Sequence, residues 1–464
     1  MKHISFIICV VFVLFNLTGF VHAVIPASER EALIALYKST NGDNWNNKTG
    51  WKTPPLADDG FALPGTEKTW NGVTVKSDHV ISLILSDNRL HGKIPSELNV
   101  LSKLEKLDLY FNQLTDNIPS ELGDLSALEY IDLNHNKLSG SIPAELGKLN
   151  SLNYLNLSYN LLSGTLPVEL SKLGNLNFFW LSDNQISGTI PEEFGLLHNM
   201  ETCGLGYNKL TGSIPVQLYN LSKLKDLNLN GNQLSGTIPP GLSKLTTLES
   251  LKLCENKLTG NIPPEIGNLN KLEMLYLSEN QLTGFIPVEL GNLDRLIIIE
   301  LSNNPLSGTI PAQLGKLGKL EYLHMADTRL SGSIPSLIGE LRNLKELELP
   351  NNLLSGSLPS QLGKLRNLKR LILSGNKMSG AIPKTFGNLK NLEYLDLSNN
   401  LLSGTIPVQF SKLGQLVHLY LNDNRLKGRI PPELAKLRTL EYLSLSKNKL
   451  TGSLPKREGL EITY

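Results

Sequence analysis

Apolar and polar positions along this chain repeat with a period of 24 residues. Counting from Asn88, an asparagine returns at Asn112, Asn136, Asn160, Asn184, Asn208, Asn232, Asn256, Asn280 and Asn304, and again from Asn352 to Asn448. Only Thr328 interrupts the series. Seven residues after each of these positions stands a proline, from Pro95 to Pro455, through sixteen turns without an insertion. One turn reads Leu128-x-x-Ile131-x-Leu133-x-x-Asn136-x-Leu138-x-Gly140-x-Ile142-Pro143-x-x-Leu146-Gly147-x-Leu149. Alternation at Ile131 and Leu133 predicts a short strand with one buried face. Such a strand is unstable alone, but copies in neighbouring turns can pair with it as a parallel sheet. The Leu146–Leu149 stretch is too short for a full α-helix and predicts turns and 3-10 segments on the outer side.

The polar positions serve the same design. An asparagine amide carries two donors and two acceptor lone pairs, enough to satisfy backbone groups exposed where the chain leaves the strand. Gly140 and its equivalents suit positive φ or close approach, and Pro143 stiffens the return path. Leu-x-x-Leu-x-Leu-x-x-Asn-x-Leu-Ser-Gly-x-Ile-Pro resembles the plant-type class of extracellular leucine-rich repeats, over residues 80 to about 455. The expected fold is an α/β solenoid, a superhelix of sixteen 24-residue repeats with a concave parallel β-sheet and a 3-10 and turn convex side. The resemblance further implies a second, shorter set of strands around Gly-x-Ile-Pro.

The ends depart from the repeat. Residues 1–23, with Lys2 and His3 before an apolar run and Val21-His22-Ala23 at the end, read as a secretory signal peptide cleaved after Ala23. Residues 24–79 read as an N-terminal helical, Trp-rich cap, with Ser28-x-x-Glu31 as a capping box. It resembles the cap of plant-type repeat proteins, where cysteines flank Trp-x-Gly-Val. Here Lys68 and Val75 hold those positions, so Trp45, Trp51 and Trp70 must shield the coil by burial. The Ala-Leu-Ile-Ala-Leu-Tyr…Asn-Gly-Asp-Asn-Trp wording is closer to exported bacterial and some algal repeat proteins. Residues 80–464 form the solenoid, whose last repeat is degenerate: Glu458 and Glu461 replace expected leucines.

Composition removes several function classes. With Lys2 gone, basic and acidic residues balance at 43 each, which gives no footprint for nucleic acid or an anionic membrane. No later segment has the roughly 20 apolar residues that span a bilayer. Cys9 leaves with the leader, and Cys203 (inward) and Cys254 (concave, two turns on) are predicted to be free thiols. No His, Cys or carboxylate group shows metal-ligand spacing, and no cofactor is implied.

Concave positions lie six, four, two and one before each asparagine, and one after it. At about 4.8 Å per rung the sixteen turns make an arc of roughly 70–80 Å. Turns two to five are unusual there: Tyr130, Tyr154 and Phe178 fill one column, and Asp108, Asp132, Asn156 and Trp180 another, with Tyr110 alongside. Phe111, His135, Tyr159 and Tyr207 flank them, and Gly204 and Gly206 are expected to leave a shallow notch beside Trp180. Exposed aromatics of this kind serve as binding anchors, against the competing reading of a cross-strand ladder that only stabilises the sheet. Asp108 and Asp132, one rung apart, should raise each other's pKa. They do not make a catalytic pair, because an open sheet does not exclude water.

A second group comprises Tyr322, His324, Asp327, Thr328 and Arg329 with Glu346, Glu348 and Pro350. A third, with more dispersed aromatics, comprises Tyr394, Asp396, His418, Tyr420, Asp423, Arg425 and Tyr442. The expected function is a secreted, non-enzymatic binding protein that takes an extracellular protein, peptide or glycan on its concave face. A structural or adhesive surface protein, or the ectodomain of a larger receptor, is the alternative.

Overall fold

A computed structural model describes residues 24–453 and 459–463. The expected signal peptide lies outside the described residues. Each turn contributes a three-residue rung such as Tyr130–Asp132 or Tyr154–Asn156, and successive rungs pair in parallel at an offset of 24. With Val73–Lys76, antiparallel to His79–Ile84, and the tail strand Glu461–Thr463, they form a continuous 18-stranded sheet. The middle residue of each rung (Leu107, Ile131, Leu155, Phe179) is fully buried, and so are the leucines that follow it. A strand paired on both edges and covered on one face gives this result: inward side chains pool into one elongated core, and outward ones line an open surface.

The asparagine ladder works through its amide. Asn136 Oδ1 accepts the Leu114 N–H at 2.9 Å, while Nδ2 donates to the Leu109 and Leu133 carbonyls at 3.0 and 3.1 Å. Every such asparagine thus ties its own turn to the preceding one and pairs polar groups that burial would otherwise strand. The residue just before it is left-handed in turn after turn, for example His135 (φ 51°) and Tyr159 (φ 54°).

Beyond the ladder, short segments such as Ser139–Ser141 pair in parallel with the next turn and form the second set of strands. The longest run of them joins seven strands, from Ser307–Thr309 to Lys449–Thr451. After each proline a five-residue 3-10 segment follows, as in Ala144–Lys148. These segments approach so closely that a Cβ on Gly147 would lie 2.3 Å from the Glu169 carbonyl oxygen.

The N-terminal segment opens with helix α1 (Ala27–Ser39). The expected capping box is absent: Pro26 is the N-cap residue and no side chain caps the helix. Proline's fixed φ suits a helix start without it. The inward carboxylate is Glu29 rather than Glu31; it accepts the Val80 N–H at 2.8 Å and contacts His79 Nδ1 at 2.6 Å. Trp45, Trp51 and Trp70 are almost wholly buried, in one cluster with Tyr37 and Phe61 whose ring centroids lie 4.7 to 6.0 Å apart. Beside them Arg30 pairs with Asp59 at 2.9 Å and Glu67 at 2.5 Å.

The tail departs from expectation at its far end. Glu461–Thr463 adds a further parallel rung on Tyr442–Ser444, with Ile462 in register with Leu443. Ile462 and Leu460 pack against the core, so the shortened spacing still places an apolar residue inward.

Candidate ligand-binding surface

Register brings the predicted columns together. Lys106, Tyr130, Tyr154, Phe178 and Thr202 lie side by side, as do Asp108, Asp132, Asn156, Trp180 and Gly204. Tyr130 and Tyr154 stack with centroids 4.1 Å apart and planes 14° from parallel. Phe178 and Trp180 stack at 5.4 Å, and Tyr154 touches Trp180 at 5.0 Å. All four rings are half-buried and form one apolar floor.

The carboxylates beneath differ. Asp132 is saturated: its Oδ2 accepts the Tyr130 and Tyr154 hydroxyls at 3.3 and 3.2 Å, and its Oδ1 accepts the Asn134 backbone N–H at 3.1 Å and the Asn134 side-chain amide. Both tyrosine hydroxyls are therefore engaged, and burial followed by the Asp132 charge raises the pKa of each. Asp108 is left half-satisfied. Lys106 Nζ sits 3.4 Å from its Oδ2 and 4.0 Å above the Tyr130 ring, while Oδ1 is buried with no hydrogen-bond partner among the described residues. Burial raises the Asp108 pKa, Lys106 opposes the shift and Asp132 adds to it.

Two expectations change here. Tyr110 is exposed and joins none of the ring contacts among the described residues, so it stands apart from the floor. The notch beside Trp180 is filled. A Cβ at Gly204 would lie 2.6 Å from Trp180 Cδ1, so the missing side chain is what lets the indole lie across the next rung. Among the described residues no protein acceptor takes the indole N–H.

Phe111, His135 and Tyr159 form a second ladder along the rim, with centroids 5.9 and 4.1 Å apart. All three are exposed and left-handed. Phe and Tyr are unusual at such positions, which favour Gly, Asn, Asp or His, and their rings stack on one another along the rim. That mismatch was the signal available in the sequence.

The second and third groups merge. His324 Nδ1 lies 2.9 Å from Glu300 Oε2, and its Nε2 lies 3.3 Å from Glu346 Oε2. Arg370 Nε donates to Glu348 at 2.9 Å, and its guanidinium covers the Tyr394 ring at 4.7 Å. Tyr394, His418 and Tyr442 continue as a stacked column at 5.0 and 4.7 Å, so these aromatics are contiguous rather than dispersed. Burial acts against a charged His324, but the Glu300 bond and the neighbouring carboxylates outweigh it and raise the pKa. Donor atoms of His324, Glu346 and Glu348 fall within 4.8 Å of one another, a grouping that linear spacing conceals because it spans two turns.

Leucine rich repeat family patterns match residues 78–138 and 366–426, and in shorter units most of the chain between and beyond them, including 151–197, 223–365 and 439–457. The chain belongs to the leucine-rich-repeat family. Solved structures similar to it include a plant peptide hormone receptor, RGFR1, in complex with RGF2 (34% identity, TM-score 0.75, 82% of this chain and 68% of that one). A leucine-rich-repeat protein of Leptospira interrogans matches at 35% identity and TM-score 0.66, over 82% of this chain and 95% of its own. The ectodomain of the Arabidopsis receptor kinase HAESA, in complex with an IDA peptide hormone ligand, matches at 29% identity and TM-score 0.57, over 93% and 87%. Among the described residues no helix of this leucine-rich-repeat protein is long and apolar enough to cross a membrane.

Proposed function

We propose that this is a secreted, non-enzymatic binding protein that takes an extended peptide along the concave rungs of turns two to five. The observation carrying this reading is the half-buried floor of Tyr130, Tyr154, Phe178 and Trp180, which offers ring faces and a free indole N–H. The exposed Phe111–His135–Tyr159 ladder supplies a wall along one side. A peptide strand covers such a surface without entering a cavity, and nothing in an open sheet assembles a water-free reaction centre. The peptide-bound plant receptors among the similar structures support the choice of ligand class.

Screening the purified mature chain against peptide and glycan arrays tests the class of ligand. For any hit, Trp180→Ala and Tyr154→Ala should each weaken binding by about 30-fold or more, the loss typical of an aromatic anchor. Unchanged affinity in both variants would place recognition elsewhere, and hits confined to glycans would replace the peptide.

A further inference from the structure

We propose that His324, Glu346 and Glu348 bind one divalent transition-metal ion, with Zn2+ the best match, and that Glu300 orients the imidazole for it. The inference is independent of the peptide reading, because it concerns turns ten to twelve rather than two to five.

The geometry around His324 carries it. Glu300 Oε2 engages Nδ1 at 2.9 Å, which leaves Nε2 as the nitrogen that faces the two glutamates of the next rung. Nε2 is buried and makes no hydrogen bond, since its 3.3 Å approach to Glu346 lacks hydrogen-bond alignment. A carboxylate on one ring nitrogen and an unspent second nitrogen is the arrangement in which histidine ligates metals, the carboxylate setting tautomer and ring angle. For a tetrahedral ion with bonds of about 2.0 Å, ligand atoms stand about 3.3 Å apart. The Nε2–Glu346 separation is already that edge.

Glu348 completes the donor set. Arg370 Nε holds its Oε1 at 2.9 Å and leaves the second carboxylate oxygen for an ion. All three donor atoms lie within 4.8 Å, so a side-chain rotation of Glu348 closes the remaining gap without moving the sheet. Three carboxylates (Glu300, Glu346 and Glu348) surround His324 against one permanent cation, Arg370, and the excess favours a divalent ion. Imidazole plus carboxylates selects first-row transition metals over Ca2+ or Mg2+, which take oxygen alone. Three protein donors leave a coordination position open toward the concavity, as in zinc sites that accept water or an exogenous ligand.

The test uses the full mature chain, stripped with a chelator and titrated with Zn2+ against a chromophoric competitor. One equivalent should bind, and His324→Ala and Glu346→Gln should each abolish it. Glu300→Gln, which touches no metal, should weaken it by about 10–100-fold. Co2+ should give the intense visible absorption of a four-coordinate ion in the native chain and not in His324→Ala. Far-UV circular dichroism of the variants shows that the solenoid is intact, since Leu323 and Leu347 keep the core of these rungs. Absence of Zn2+ binding to the native chain at about 100 μM would overturn the proposal. Retention of the bound equivalent in both His324→Ala and Glu346→Gln would do the same.

Discussion

Replacing Asn232 with alanine tests how the ladder stabilises the coil. The amide makes four bonds: Oδ1 accepts the Leu210 N–H at 3.0 Å, and Nδ2 donates to the carbonyls of Leu205 (3.0 Å), Leu229 (3.2 Å) and Asn230 (3.2 Å). The losses are unequal. Leu205 O keeps a second donor in Asn208 Nδ2 at 3.2 Å, and Leu229 O keeps Asn256 Nδ2 at 2.9 Å. Only the Leu210 N–H is left without its acceptor. One stranded buried donor costs about 1–3 kcal/mol and each of the three weakened carbonyls about 0.5 kcal/mol, so Asn232→Ala should destabilise by about 2.5–4.5 kcal/mol.

Turn eleven is the natural counterpart. There Thr328 cannot serve the Leu306 N–H as Asn304 serves the Leu282 N–H at 3.0 Å. The Leu301 and Met325 carbonyls still have Asn304 and Asn352, and the Thr328 hydroxyl turns to Asn352 Oδ1. Thr328→Asn should therefore stabilise by about 1 kcal/mol. Urea unfolding followed by circular dichroism and tryptophan emission reads both changes, because a weakened interior turn can also uncouple the two ends of a repeat array. An Asn232→Ala midpoint indistinguishable from the native one, or a destabilised Thr328→Asn, would refute the ladder account.

Gly204→Ala should push the Trp180 indole off its rung with little loss of stability, read as greater acrylamide quenching; the other tryptophans are at most 4% exposed and stay silent. Arg30→Met should cost about 3–5 kcal/mol by leaving Glu67 charged and buried, seen as early loss of the cap tryptophan signal in urea. The Arg30 bond holds the Asp59 pKa below its ordinary value, so its stabilisation is present above the unfolded carboxylate value and fades as pH falls through the folded one. Asp108 has the opposite sign: burial raises its pKa, and its favourable term, complete below the unfolded value, is lost as pH rises through the folded one. Asp108→Asn should remove that loss, measured as a flatter midpoint-versus-pH curve above the ordinary carboxylate range. Burial pushes the Cys203 thiol to about 12 and Cys254 to about 11, so a thiol reagent at pH 8 should find neither in folded residues 24–464 and both after unfolding.

Much of this molecule is legible in the chain itself, because a fixed period converts sequence separation into rung adjacency. Positions 24 apart are neighbours, so the period alone puts Leu107, Ile131 and Leu155 in the core and Tyr130, Tyr154 and Phe178 in one column. The second set of strands followed from the resemblance to plant-type repeats, and the burial of Trp45, Trp51 and Trp70 from a cap without its flanking cysteines, not from the period. Side-chain direction within a column is another matter, since rotamers depend on what the adjacent rung leaves empty. Only the tertiary structure decided that Trp180 lies over Gly204 and that Asp132 takes both tyrosine hydroxyls while Asp108 keeps an oxygen spare. Only it set the Glu29 carboxylate against the Val80 N–H and left the helix capped by Pro26 without a side-chain bond. It likewise joined His324 to Glu300 behind and Glu346 ahead, three turns whose residues lie more than twenty positions apart. Backbone stacking is periodic and can be counted; hydrogen bonds and ion pairs between outward side chains depend on local volume and charge, which repeat in no fixed order.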